Sequence, residues 1–189
     1  MKETRQAYFQ GDFQTREEGE NFYLEGYFVV YNRQTELWHN FFESVAAGAC
    51  TKSILNNDIV ALFNHNSDLV LGTAHNSTLT LTEDELGVRG IILVNKDDTE
   101  AVNIYQRVKR GDIKGCSFGF RIIGEEYEYG SDGEVYSTLT EVDVMEVSIC
   151  PFPAYPQTSI QARKKDYEVE RRRAFELQKE FIRRRYFGT

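Results

Sequence analysis

Short runs of aromatic and β-branched residues recur along this chain, and Gly, Asn, Asp or Pro cuts each one off before it can grow into a long apolar segment. That punctuation restricts the fold more than any other feature of the sequence. FYLEGYFVVYN (22–32) interleaves such residues with Glu25 and Gly26, TLTLT (78–82) alternates strictly, and EDELG then turns into VRGIILVN (88–95). WHNFF (38–42), DIVALFNHN (58–66), CSFGFRII (116–123) and LTEVDVMEVSIC (139–150) read as further strands. The pattern predicts a β-rich, α+β domain of about seven strands.

Helical signals are fewer. Asp98 and Thr99 offer a cap to EAVNIYQRVKR, where Val102, Tyr105 and Val108, with Ala101 and Ile104, form an apolar stripe that Gly111 terminates. In ESVAAGAC, Ser44 could cap a short helix that Gly48 ends. Beyond Arg163 there is no Gly or Pro until Gly188, and Tyr167, Phe175, Leu177, Phe181, Ile182 and Tyr186 fall at helical spacings beside arginine triplets at 171–173 and 183–185. That stretch predicts one basic amphipathic helix of about 20 residues. All three prolines, Pro151, Pro153 and Pro156, follow the last strand and should give it a stiff exit. The segment EEYEYGSDGEVYS reads as an exposed hairpin or mobile loop, and residues 1–20 as a flexible arm. The predicted organisation is therefore an arm over 1–20, a domain over 21–162 and a basic helix over 163–189.

Composition removes several function classes. Residues 1–162 carry 12 Lys+Arg against 25 Asp+Glu, while residues 163–189 carry 10 against 5. An acidic body disfavours general nucleic-acid binding, because phosphate affinity needs clustered cations. No apolar run approaches the length of a membrane helix and no leader-like stretch opens the sequence, so a cytoplasmic chain is expected. Cys50, Cys116 and Cys150 form no C-x-x-C pair, and His39, His65 and His75 lack zinc spacing. Any chemistry should be free of metal and cofactor.

Three segments stand out chemically. In FNHNSDLVLG, His65 closes an apolar strand and is expected half-exposed at its mouth; such a histidine is commonly a surface or capped core residue, yet it is also the usual general base for a hydroxyl nucleophile. In GDIKGCSFGF, Ser117 lies between Gly115 and Gly119, which would let another backbone approach closely; the bland alternative is a bulge or a tight packing point. Cys116 is a rival nucleophile, but its parity puts it with Phe118 and Phe120 in the core. Glu146 interrupts a strand of Val, Met and Ile, where a carboxylate is costly unless partnered. Its partner could be an arginine, Arg89 or Arg121, or a histidine that it orients.

Six stretches, LEGYFVVYN, FFESVAAGAC, LFNHN with LGTA, LTLTEDELGVRG, GDIKGCSFGFRI and MEVSICPFPAYPQTSI, resemble in this order the tailed-phage prohead serine proteases. The resemblance runs from about Asn21 to Ala162 and is specific, because the S-F-G-F and E-V-S-x-x-P-x-P-A-Y segments occur together. It implies the fold of the herpesvirus assembly proteases, a closed β-barrel with surrounding helices. It also implies Ser117 as nucleophile, His65 as general base and Glu146 as third member, with Asp143 as the alternative. Backbone amides of Ala154 and Tyr155 would be candidates for the oxyanion hole, since the neighbouring prolines stiffen the chain but cannot donate. The expected activity is cleavage of scaffold and major capsid protein segments, and of the chain itself, inside an assembling procapsid in the host cytoplasm, by a possible homo-oligomer that needs no membrane. A catalytically silent assembly protein of the same fold is the alternative. The basic tail inherits no role from the resemblance; it could pack on the barrel, dock acidic scaffold or capsid segments, be cut away, or simply stay solvated.

Overall fold

The computed structural model describes residues 5–9 and 13–151, with six further positions between 169 and 179. Among the described residues, eleven strands and two continuous helices are defined, against the roughly seven strands expected. In chain order they are β1 (Arg5–Phe9), β2 (Gln14–Glu18), β3 (Asn21–Val30), β4 (Thr35–Trp38), β5 (Phe41–Val45), α1 (Thr51–Asn56), β6 (Val60–Phe63), β7 (Asn66–Thr73), β8 (Leu79–Glu83), β9 (Gly87–Val94), α2 (Thr99–Arg110), β10 (Gly115–Tyr129) and β11 (Val135–Cys150).

Two sheets divide the strands. The smaller runs β2-β3-β9-β8 with every pair antiparallel. The larger follows β1-β10-β11-β5-β4, with β6 also paired to β11 and β7 to β6. Pairing among the described residues thus resolves into two sheets, and no ring of ladders closing them into the expected barrel is traced. Leu24, Phe28, Ile92, Phe118, Phe120, Val147 and Ile149 lie in one buried core.

β11 is the spine of the larger sheet. It pairs antiparallel with β10 along its whole length, while its first residues run parallel to β5 and its last parallel to β6. One irregularity in that ladder matters most. Gly119 pairs with Glu146 but Phe120 pairs with Val144, so Met145 has no opposite number and forms a bulge. Before the bulge the positions in the core cluster are Val142 and Val144; after it they are Val147 and Ile149. Without the extra residue Glu146 would keep the parity of Val144 and point into the core. The bulge moves it, and Ser148 after it, to the opposite face.

Helix α2 follows the predicted bounds. Asp98 accepts from the amides of Glu100 and Ala101, and Gly111 ends the helix at φ 86°. Ala101, Ile104, Tyr105 and Val108 are its buried residues, and Tyr105 stacks on Phe22 at 4.7 Å. Each fully buried aliphatic of this kind contributes about 1.5–3 kcal/mol.

Several expectations need correction. Ser44 caps no helix: FFESV is strand β5, held between β4 and β11, and the short helix begins at Thr51. WHNFF is a hairpin, because Asn40 at φ 64° reverses the chain inside it. Of the two readings of EEYEYGSDGEVYS, the hairpin holds and the mobile loop does not: it is strand on both sides of its turn, continuing β10 and opening β11. The arm expected over 1–20 contains β1 and β2, which pair with β10 and β3; their polar composition hid them, since an edge strand is held by its ladder as well as by its side chains. Of residues 163–189, Val169, Arg172, Arg173, Phe175, Glu176 and Lys179 are helical and exposed; the rest of the predicted basic helix lies outside the described residues.

Candidate active site

The ends of β6 and β11 meet at a tight turn. Asn64 and His65, the two residues between β6 and β7, both have positive φ, 53° and 59°, which is the type I′ geometry that matches the twist of a two-residue hairpin. Glycine usually takes the second position. A histidine there costs on the order of 1–3 kcal/mol of backbone strain, and such strain concentrates at functional sites. The turn is clamped to β11: the Asn64 amide donates to the Ile149 carbonyl at 2.9 Å and the His65 amide to Ser148 Oγ at 3.2 Å.

So held, the imidazole reaches Glu146. His65 Nδ1 lies 2.6 Å from Glu146 Oε1, with the two side chains only 11% and 15% exposed. The other carboxylate oxygen, Oε2, accepts from Ser148 Oγ at 2.6 Å. The costly carboxylate of the sequence is thus satisfied at both oxygens, and by a histidine; Arg89 instead pairs with Glu25 at 3.1 Å and Arg121 with Asp143 at 3.7 Å. Pairing with a carboxylate fixes the proton on Nδ1 and leaves Nε2 as the basic nitrogen. Among the described residues, Nε2 of His65 is the buried side-chain nitrogen or oxygen without a hydrogen-bond partner. A buried polar atom left in that state calls for an explanation, and proton transfer is one.

Ser117 belongs to the same face of the sheet. Across the β10–β11 ladder it pairs with Ser148, and Gly119 pairs with Glu146. Ser117 is 1% exposed. The need for glycine at 119 is steric, since a Cβ there would overlap the Glu146 carboxylate. His65, Glu146 and Ser117 are therefore brought to one patch with Ser148 between them.

The other candidates fall elsewhere. Asp143 accepts from Asn57 Nδ2 at 2.8 Å and faces Arg121, so its interactions lie apart from the imidazole. Cys116 is buried beside Phe118 and Phe120 as its parity predicted, its thiol directed at the Tyr27 carbonyl at 2.8 Å. Burial pushes the Cys50 and Cys150 thiols up to about 12, with the charge of Glu146 adding to the effect on Cys150. Both stay protonated at neutral pH; their contribution to stability is complete below the ordinary thiol range and fades as pH rises toward 12. Ala154 and Tyr155 lie outside the described residues. Among the described residues no cluster of three His, Cys, Asp or Glu side chains could hold a metal, and no helix is long and apolar enough to cross a membrane. Sequence reasoning passed over Ser148; the signal was present in E-V-S, where a spacing of two on a strand puts both polar side chains on one face.

The chain resembles known proteins over most of its length. The prohead protease of Enterobacteria phage HK97 is 26% identical over 152 residues, covering 78% of this chain and 62% of that protein. This chain thus spans less than two thirds of that relative. The solved structure of the bacteriophage T4 capsid assembly protease superposes with a TM-score of 0.51 at 12% identity, covering 78% of this chain and 98% of its own, a likeness of fold. The model of the caudovirus prohead serine proteases matches residues 11–172, and the chain belongs to that family.

Proposed function

We propose that this protein is a serine endopeptidase in which Ser117 is the nucleophile, His65 the general base and Glu146 the residue that orients and charge-balances the imidazole. The observation that carries the reading is the buried His65–Glu146 pair at 2.6 Å, which leaves Nε2 enclosed and unpartnered on the face that also bears Ser117. Nε2 takes the hydroxyl proton as Ser117 Oγ attacks a peptide carbonyl, then passes it to the leaving amine; water repeats the sequence in reverse and releases the acyl group. Glu146 stabilises the imidazolium formed in each half and stays ionised throughout. The developing oxyanion needs backbone donors, for which the amides of Ala154 and Tyr155 are the candidates. Family membership supports scaffold and capsid-protein segments as substrates, and the inside of an assembling procapsid as the setting.

The deciding experiment incubates wild-type and Ser117→Ala chains with scaffold and capsid precursor and follows fragments by mass spectrometry. Cleavage by the wild type alone is the expected result. Equal fragmentation by both would remove Ser117 from the mechanism. A catalytically silent assembly protein of the same fold has one observation in its favour, the 1% exposure of Ser117, and it predicts no fragments from either chain.

A further inference from the structure

β10 has two neighbours. On one side is β11, which carries Glu146 and Ser148; on the other is β1, from the start of the chain. β1 runs antiparallel to β10 with Gln6 opposite Gly119, Ala7 opposite Phe118, Tyr8 opposite Ser117 and Phe9 opposite Cys116. It therefore spans the serine, with its midpoint opposite Phe118, one residue away. Yet β1 lies before residue 11, where the family match begins. Within the matched span β10 keeps an open outer edge, and β1, from outside that span, closes it.

An open strand edge offers a row of backbone N–H and C=O groups to any extended peptide, the usual basis of recognition by strand addition. A polypeptide brought to Ser117 along this edge would use the same backbone groups that β1 now uses. Both cannot pair at once. Building on Ser117 as nucleophile, we propose that the outer edge of β10 from Cys116 to Phe120 is the docking edge for the extended substrate, and that β1 is its resident occupant.

The linkage gives this arrangement a concentration scale. Only residues 10–13 separate β1 from β2, which is itself laddered to β3 over five residues and tied to α2 through Glu17 and Tyr105 at 3.0 Å. A strand on so short a tether competes at an effective concentration on the order of millimolar. Dilute peptides lose that competition. Segments packed at comparable density, as in a closed assembly, displace β1, so that crowding of the substrate itself opens the site.

The test uses the full-length chain with Ala7→Pro and Tyr8→Pro together. Successive residues of an edge strand turn their N–H groups alternately toward and away from the neighbour, so one of the two prolines removes a ladder donor whatever the phase. A second variant, with residues 5–9 replaced by alternating Gly and Ser, weakens β1 without proline. In a Ser117→Ala background, a peptide of residues 4–11, TRQAYFQG, is titrated while the amide shifts of residues 116–120 are followed by NMR. If β1 occupies the edge in about nine chains in ten, the weakened variants bind the peptide about 10-fold more tightly than their parent. Unchanged affinity, or shifts that avoid β10, overturns the proposal. With Ser117 present, the same variants should cleave capsid precursor about 10-fold faster at low substrate concentration and be inhibited by the peptide. Tighter peptide binding without any Ser117-dependent cleavage would sink the catalytic reading and leave the docking edge standing.

Discussion

Asp143 and Glu146 sit three residues apart on β11, and their environments could hardly differ more. Asp143 is about one-third exposed and is shared between Asn57 and a distant Arg121, the kind of surface pairing worth about 0–1 kcal/mol. Glu146 is 15% exposed and is held at both oxygens, by His65 and Ser148. The bulge at Met145 brings Glu146 onto the face that Asp143 already shares, opposite Gly119 and Arg121, so the difference lies in what each carboxylate meets there. Two like side chains on one face of one strand thus serve unlike ends, and what separates them is the partners that each position meets.

That contrast can be tested in steps. Glu146→Gln keeps the shape but removes the charge that fixes the imidazole, and cleavage of capsid precursor should fall by about 10³–10⁴-fold with the circular dichroism spectrum unchanged. A rate within a factor of ten of wild type would deny Glu146 its role. Gly119→Ala places a methyl group where the carboxylate lies, so a displaced Glu146 should lower the rate constant by about 100-fold, measured at saturating peptide. Ser148→Ala removes one hydrogen bond from the carboxylate and one from the His65 turn; about a 10-fold loss is expected, with the rate regained in Ser148→Thr. Loss of activity in alanine without recovery in threonine would mark a packing role instead. Asp143→Asn should change the rate less than about 2-fold and the stability by less than about 1 kcal/mol in a urea titration. A large loss there would transfer the third role to Asp143 and reverse the comparison.

Much of this was legible in the residues. Helix α2 announced itself through Asp98, its apolar stripe and Gly111, because caps and periodicity are local. The cost of a carboxylate among Val, Met and Ile singled out Glu146 before any partner was known. The bulge was not legible, since Met145 becomes an extra residue only against the spacing of β10. Nor was the turn at His65: Asn-His lacks the glycine that marks a type I′ hairpin, and what holds it is the pair of bonds to β11 from another part of the chain. QTREE and RQAYF looked like an arm because edge strands in a ladder need little apolar content of their own. In ESVAAGAC, Ser44 suits a helix cap as well as a strand, and only the strands flanking β5 decide against the cap.

The long hairpin of β10 and β11 also bears on the order in which the protein acquires its parts. Ser117 and Glu146 are joined by a ladder that can zip from the turn at Gly130–Glu134, each step closing a small loop. His65 reaches Glu146 across 81 positions of sequence, and the strand that delivers it docks parallel to β11. Contacts of such long range close late in folding. During synthesis β6 leaves the ribosome well before β11 exists for it to pair with, so the histidine has no carboxylate to meet until nearly all of the described chain is made. A chain caught partway through folding would own Ser117 and Glu146 in register yet lack His65 beside them, and on the proposed roles it would stay inactive until that last contact closes.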